Sequence, residues 1–211
     1  MLEAQGTTLE MSTGTGGAKT ITAMTLANPT MLTSVGHALV NGDVVAAANF
    51  GGADAASING NTYVVMFKTT DTFAIDLDST ALTITDNTDE ATMTPETYTA
   101  IGEILDWDLA GDTHNLIDHT TLASTRAEEK PGIPRGSAVS FNVNWTSDDA
   151  GLLAAEVARA AKTLKTFKVT YSDASVHTFT GYVIALSDSG GVDDKVNGSI
   201  TLQRVGALAL T

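Results

Sequence analysis

The chain has 211 residues, no cysteine and a formal net charge of −14. Hydrophobic residues make up 43%, so a core is expected, and the length suits one large domain or two small ones. The lack of cysteine excludes disulfides, thiolate metal sites and cysteine nucleophiles. No stretch holds the roughly 18 consecutive apolar residues of a membrane-spanning helix. The first ten residues lack the basic and apolar regions of a secretory signal, so we expect synthesis in the cytoplasm and no membrane partner.

The negative charge is concentrated in the first part of the chain. Residues 1–125 contain sixteen acidic residues and two basic ones, whereas residues 126–211 contain nine of each. Such a protein is not expected to bind nucleic acid through its phosphates, because that mode requires Lys and Arg. The simple interpretation is solubility. The sharper one is a surface that faces a polyanion without holding it.

The first ninety residues predict short strands separated by turns. Residues 6–11 alternate weakly, and residues 12–19 have the Gly, Ser and Thr composition of a flexible linker. Asn-Gly and Gly-Gly pairs then separate short β-like segments, which suggests a small barrel or sandwich. These segments are residues 24–26, 30–35, 44–48, 63–67, 73–77 and 82–85.

The second half predicts strands around one helix. Strands are expected at residues 98–105, 116–117 and 139–145, with a rigid proline-containing turn over residues 131–136. A helix follows, capped by Ser147, Asp148 or Asp149. It carries one apolar stripe of Leu153, Val157, Ala160 and Leu164. The basic residues Arg159, Lys162, Lys165 and Lys168 lie at its end and beyond. Strands over residues 167–171, 178–186 and 196–205 complete the chain.

No segment of the sequence matches a known catalytic, metal-binding or cofactor-binding motif. The segment from Gly14 to Thr20 has Ala18 where a phosphate-binding loop needs glycine. His114, Asp118 and His119 are the nearest approach to a metal cluster, but their neighbours predict a loop entering a strand. The acidic turns do not match a calcium-binding loop, and no nucleophile elbow is present. We therefore expect no enzyme, no metal and no cofactor.

A set of ordered segments resembles the major tail tube proteins of long, non-contractile phage tails. The end of the chain matches best, in TFTGYV at 178–183, SGGVDDKV at 189–196 and GSITL at 198–202. Further matching segments are YTAIGEI at 98–104, FNVNW at 141–145, and residues 6–10, 117–122, 129–134 with Gly136, and 148–153. Residues 1–19 and 91–211 would then form a discontinuous tail tube domain.

Residues 20–90 interrupt this pattern and resemble a small β-barrel module. The module is similar to the first catalytic-cysteine half-domain of ubiquitin-activating enzymes, and recurs in phage structural proteins. The matching segments are residues 28–30, 36–39, 41–45, 58–65 and 72–75. The cysteine of those enzymes is not implied, because this chain has none. A module of this size would obstruct a tube lumen, so we expect it to face outward.

The resemblance implies a mainly β fold: a tail-tube β-sandwich or barrel flanked by one α-helix, with an inserted all-β domain. It implies hexameric rings that stack around a tape-measure protein and conduct DNA without binding it specifically. Tail tip or baseplate and terminator proteins would be further partners, and the protein would reside in the virion tail. The candidate lumen-lining residues are Glu96, Glu103, Asp106, Asp108, Asp112 and Asp118. The candidate assembly contacts are Leu2, Leu9, Pro131, Pro134, Val192, Asp193 and Asp194.

Two alternatives remain open at this point. The chain is another tail or capsid-decoration component, or it is a binding module that recognises a surface through residues 20–90.

Overall fold

A computed structural model describes residues 4–86, 90–192 and 194–210. The fold is mainly β with one α-helix among these residues, which confirms the predicted fold class. The strands in chain order are β1 Thr8–Thr15, β2 Lys19–Thr20, β3 Ala23–Thr25, β4 Thr30–Thr33, β5 Val44–Ala48, β6 Thr62–Met66, β7 Thr72–Ile75, β8 Thr92–Ala100, β9 Glu103–Leu109, β10 Thr113–Asp118, β11 Glu129–Arg135, β12 Ala138–Asn144, β13 Lys165–Thr170, β14 Val176–Ser189 and β15 Asn197–Leu210. Helix α1 spans Ala150–Ala161, and a single 3-10 turn spans Ala55–Ser57.

The chain divides into two compact units. The first contains Met1–Ala100, Thr166–Thr178 and Ala209–Thr211, and the second contains Ile101–Lys165 and Phe179–Leu208. These bounds come from contacts within the chain and differ from the division drawn from the sequence resemblance. The discontinuous domain of residues 1–19 and 91–211, with an insert of residues 20–90, stays a prediction.

The first unit is built on an antiparallel sheet. Its strand order is β3-β4-β7-β6-β5-β8-β1-β13, and β2 pairs with β8. The short apolar strands supply its core, since Val45, Val65, Phe73, Ile75 and Met93 are fully buried. Burial on both faces explains why β5 and β7 read as continuous apolar segments rather than as alternating ones.

The second unit contains the strand order β14-β15-β12-β9, the separate hairpin β10-β11, and helix α1. Strand β12 alternates strictly, with Val139, Phe141 and Val143 fully buried. Asp149 is the N-cap of α1, because its carboxylate accepts a 2.7 Å hydrogen bond from the backbone N–H of Leu152. One of the three predicted caps is thus the observed one.

Two predicted irregular segments are strands instead. The predicted linker over residues 12–19 was wrong in its first half: Ser12 to Thr15 continue β1, which pairs with β8 through a register shift between Ser12 and Gly14. The predicted proline turn over residues 131–136 was also wrong, because Pro131 and Pro134 lie within β11. A two-stranded hairpin has one open edge on each strand, where proline costs no ladder hydrogen bond.

The apolar stripe predicted for the helix does not form its buried face. Helix α1 buries Gly151, Leu152, Ala155 and Ala158, whereas Leu153 and Val157 are exposed. The small alanine side chains of the buried face carry little hydrophobic signal, so the periodicity was dominated by the larger residues of the opposite face.

Candidate functional site

An acidic face lies on the sheet of the second unit. Because β12 alternates, Ser140, Asn142 and Asn144 lie on the face opposite the core. Residues paired across strands share a face, and the register pairs Asp108 with Ser140, Asp106 with Asn142 and Glu103 with Asn144. The three carboxylates of β9 therefore line up on one exposed face.

A β-bulge explains why Glu103 and Asp106 share this face although they are three residues apart. The register shifts between Asn142 and Val143, so that Leu105 is the extra residue of β9. Strict alternation would have placed Glu103 on the face opposite Asp106 and Asp108. The bulge also leaves the Leu105 side chain exposed.

Neutral amides hold two of these carboxylates. The Nδ2 of Asn142 donates a 2.7 Å hydrogen bond to Asp106 Oδ1, and the Nδ2 of Asn144 donates one of 2.7 Å to Glu103 Oε2. An amide donor orients a carboxylate without cancelling its charge. In β9, β12 and the part of β15 whose side chains are described, the only cation is Arg204, which is buried. The exposed face therefore carries the three β9 carboxylates, and no exposed cation lies on it among the residues whose side chains are described.

The polar surface continues across β15 and β14. The register pairs Asn142 with Ser199 and Ser140 with Thr201. A shallow groove of about 340 Å³ is lined by Asp106 and Asn142 together with Ser187 and Ser189 of β14. The result is a surface of small polar side chains and carboxylates.

The other three predicted lumen residues lie elsewhere. Glu96 of β8, in the first unit, accepts a 3.0 Å hydrogen bond from the Tyr98 hydroxyl. Asp112 forms an ion pair with the buried Arg204. Asp118 ends β10, where hydrogen bonds from Thr120 lower the pKa of its carboxyl group. The structure therefore brings together Glu103, Asp106 and Asp108.

The predicted assembly residues differ in their exposure. Leu2 and Asp193 lie outside the described residues. Leu9 is 1% exposed and belongs to the core of the first unit. Val192 and Asp194 are exposed in the turn after β14. Pro131 and Pro134 are exposed on β11.

The hairpin that carries these prolines also contains His114. The register pairs Pro131 with Leu116 and Pro134 with His114. The Nδ1 of His114 lies 2.9 Å from the carbonyl oxygen of Gly132, across the hairpin. All six residues of β10 are exposed.

A buried ion pair in the first unit is absent from the sequence prediction. Lys168 was grouped with the basic residues near the helix end, but it is buried in β13. Its Nζ donates a 2.8 Å hydrogen bond to Asp43 Oδ1 and lies 4.7 Å from the centre of the Tyr98 ring. Burial, and then the charge of Glu96, raise the pKa of the Tyr98 hydroxyl. No local pattern marks Lys168, because β13 is buried on both faces.

No protein-family model and no curated protein matches the chain. Among solved structures, the chain is similar to one described as the tail of an empty GTA particle with C6 symmetry. That match has a TM-score of 0.46 and 15% identity, and covers 54% of this chain and 86% of the other.

A second similar structure is described as the six-fold symmetrised baseplate of the anti-feeding prophage. Its TM-score is 0.44 and its identity 7%, and it covers 55% of this chain and 84% of the other. At these scores the likeness carries no argument about function. In the part of the chain that the structure describes, no helix is long and apolar enough to cross a membrane.

Proposed function

We propose that this chain is a non-enzymatic structural protein of a phage tail, and specifically the major tail tube subunit of a siphophage. The observation that carries the proposal is the acidic face of β9, β12 and β15, which carries the β9 carboxylates and no exposed Lys or Arg among the residues whose side chains are described. In a tube of six-fold rings, this face lines the lumen.

The chemistry of the acidic face suits the passage of DNA. Carboxylates repel phosphates, and the face offers no Lys or Arg that would replace counterions and hold the strand. A wall with the same charge sign as its cargo keeps friction low along the whole length of a tube. Asn142 and Asn144 hold the carboxylates of Asp106 and Glu103 in fixed positions, so the charges on the wall keep a regular arrangement.

The open edge of β9 supports self-assembly. Within the described residues β9 pairs with β12 on one side and with no strand on the other. Unpaired edges invite pairing with another chain, and a closed barrel of several subunits removes them. The proposed partners are therefore further copies of the chain, the tape-measure protein inside the tube, and the tail tip or baseplate and terminator proteins at its ends. The proposed location is the virion tail, after synthesis in the host bacterial cytoplasm.

Charge reversal of the acidic face tests this function. Tubes are assembled in the presence of linear DNA from a variant with Glu103, Asp106 and Asp108 replaced by lysine, and are then treated with nuclease. We expect the variant tubes to retain nuclease-resistant DNA, and wild-type tubes to retain none. The matched control reverses Asp54, Asp71 and Asp78 of the first unit, and should hold only nuclease-sensitive DNA. If nuclease degrades the DNA equally with both variants, the acidic face does not line the lumen and the proposal is refuted.

A second candidate function rests on the loops of residues 34–41 and 67–71. The backbone N–H of Gly36 donates to Asp71 Oδ1 and that of Lys68 donates to Asn41 Oδ1, so hydrogen bonds hold these loops together. Val35 and Phe67 are exposed there, and Phe67 has a φ of 48°. An exposed aromatic residue held in a strained conformation favours binding to a surface. Loss of host-surface binding in Phe67→Ser, with assembly unchanged, would support this role, and unchanged binding would refute it.

A further inference from the structure

Helix α1 has an apolar face that the described part of the chain leaves exposed. Leu153 and Val157 are 55% and 68% exposed, and Ala160 and Leu164 continue the same line along the helix and just beyond it. A helix on a protein surface normally turns charged or polar residues outward. This helix buries one apolar face and exposes a second, which is typical of an interaction surface.

Two lysines follow directly after the end of the helix. Lys162 closes the helix and Lys165 begins β13. Neither takes part in an ion pair found among the described residues. Arg159, by contrast, is held by Glu156 of the same helix, with a 3.0 Å hydrogen bond from its Nε. The partner of this face is therefore apolar along its length and acidic at one end.

One face of the β10-β11 hairpin has this chemistry. Leu116 lies opposite Pro131, and Asp118 lies opposite Glu129 at the end of the same face. Leu116 is 62% exposed, and neither carboxylate is in an ion pair found among the described residues. The hairpin's other face pairs Ile117 with Lys130, so it lacks the required negative charge.

The hairpin face is shorter than the helix face. The helical part of the stripe, from Leu153 to Ala161, spans about 12 Å at the rise of a helix. Leu116 to Asp118 span about 7 Å at the rise of a strand, so the hairpin face fits within the length of the stripe. Both surfaces are exposed within one chain, so a contact between them requires two copies. A contact between different surfaces of identical chains is heterologous, and generates rings or open helical assemblies.

We propose that the exposed face of α1 receives the β10-β11 hairpin of a second copy, with Lys162 and Lys165 facing Asp118 and Glu129. The inference rests on the proposed self-assembly and names one contact within it. Strips of this size are smaller than a stable pairwise interface. The contact is therefore weak between two free chains and becomes strong when it is repeated in an assembly.

Single cysteines test the contact, because the chain has none of its own. Val157→Cys and Leu116→Cys proteins are prepared separately, then mixed at high concentration under mild oxidation. We expect disulfide-linked dimers in the mixture, and at least ten times fewer with either protein alone. The control mixture pairs Val157→Cys with Asp108→Cys on the acidic face. Dimers of Val157→Cys alone, or equal yields in the control, would overturn the inference.

The design separates this inference from the proposed function. Specific dimers without hollow tubes would uphold the contact and refute the tube. Tubes without specific dimers would uphold the tube and refute the contact. The absence of both tubes and specific dimers would refute both.

A charge exchange gives a second, independent readout. Lys162→Glu places like charges together, and is expected to reduce the dimer yield of the cysteine mixture several-fold. Adding Glu129→Lys to the Leu116→Cys partner restores an opposite pair, and should restore the yield. Failure of the second change to rescue the first would contradict the proposed pairing, while folding of each variant is checked by circular dichroism.

Discussion

Replacing Asp43 by asparagine is expected to leave the buried ammonium group of Lys168 without its counter-ion. The side chains of Lys168 and Asp43 are 6% and 16% exposed, and their atoms lie 2.8 Å apart. Asparagine keeps an oxygen that can accept the hydrogen bond from the backbone N–H of Val40, so the change removes mainly the charge. Breaking a buried ion pair from one side typically costs about 3–5 kcal/mol. For a chain of this length, such a loss lowers the melting temperature by about 6–20 °C.

The assay is urea unfolding of the whole protein, followed by circular dichroism. The matched control is Glu156→Gln, which removes the acidic partner of Arg159 where the two side chains are 51% and 41% exposed. Ion pairs between exposed side chains contribute little to stability, so the control should unfold almost like the wild type. Lys168→Met in the Asp43→Asn background should recover most of the loss, because no unpaired charge remains. If Asp43→Asn costs no more than Glu156→Gln, the ion pair is not a stabilising element of this core.

Three further predictions concern the second unit and the response to pH. Asp149→Ala should lower the free energy of unfolding in urea by about 1–2 kcal/mol, because it removes the helix cap and a 3.1 Å hydrogen bond from the Gly102 N–H. An equal loss in Asp148→Ala would refute this prediction. Asp112→Asn should lower the free energy of unfolding by about 2 kcal/mol, because it removes the charged partner of the buried Arg204. Asp108→Asn should change the free energy of unfolding by no more than about 0.5 kcal/mol in the same assay. The raised pKa of Tyr98 keeps its hydroxyl protonated in the folded protein, whereas the same hydroxyl ionises near pH 10 in the unfolded chain. The stability linked to this hydroxyl is therefore present below about pH 10 and is lost as the pH rises. Tyr98→Phe should therefore lose less stability than the wild type between about pH 9 and 11, and parallel pH profiles would contradict the assignment.

The sequence predicted secondary structure correctly where one face of an element is buried and the other is exposed to solvent. The alternation in residues 139–145 predicted β12 and its core face, and the acidic residues before α1 predicted its cap. Local patterns failed where pairing decided the structure. Ser12 to Thr15 have a loop composition, but they form a strand because β8 supplies a partner for their backbone groups.

The candidate site was less predictable than the fold for a specific physical reason. The bulge at Leu105 changes which residues of β9 share a face, and bulges leave no clear mark in a single sequence. The burial of Lys168 and Arg204 could not be predicted either, because charged residues are rarely buried and their partners Asp43 and Asp112 are distant in the chain. The resemblance to tail tube proteins suggested six acidic candidates, but only the strand register shows that Glu103, Asp106 and Asp108 share one face.

Electron cryomicroscopy of the assembled protein tests the central claim most directly. We expect hollow tubes of stacked six-fold rings, with the β9 carboxylates on the inner wall and α1 away from the lumen. A closed oligomer of another symmetry, or tubes whose inner wall is formed by a different surface, would contradict it.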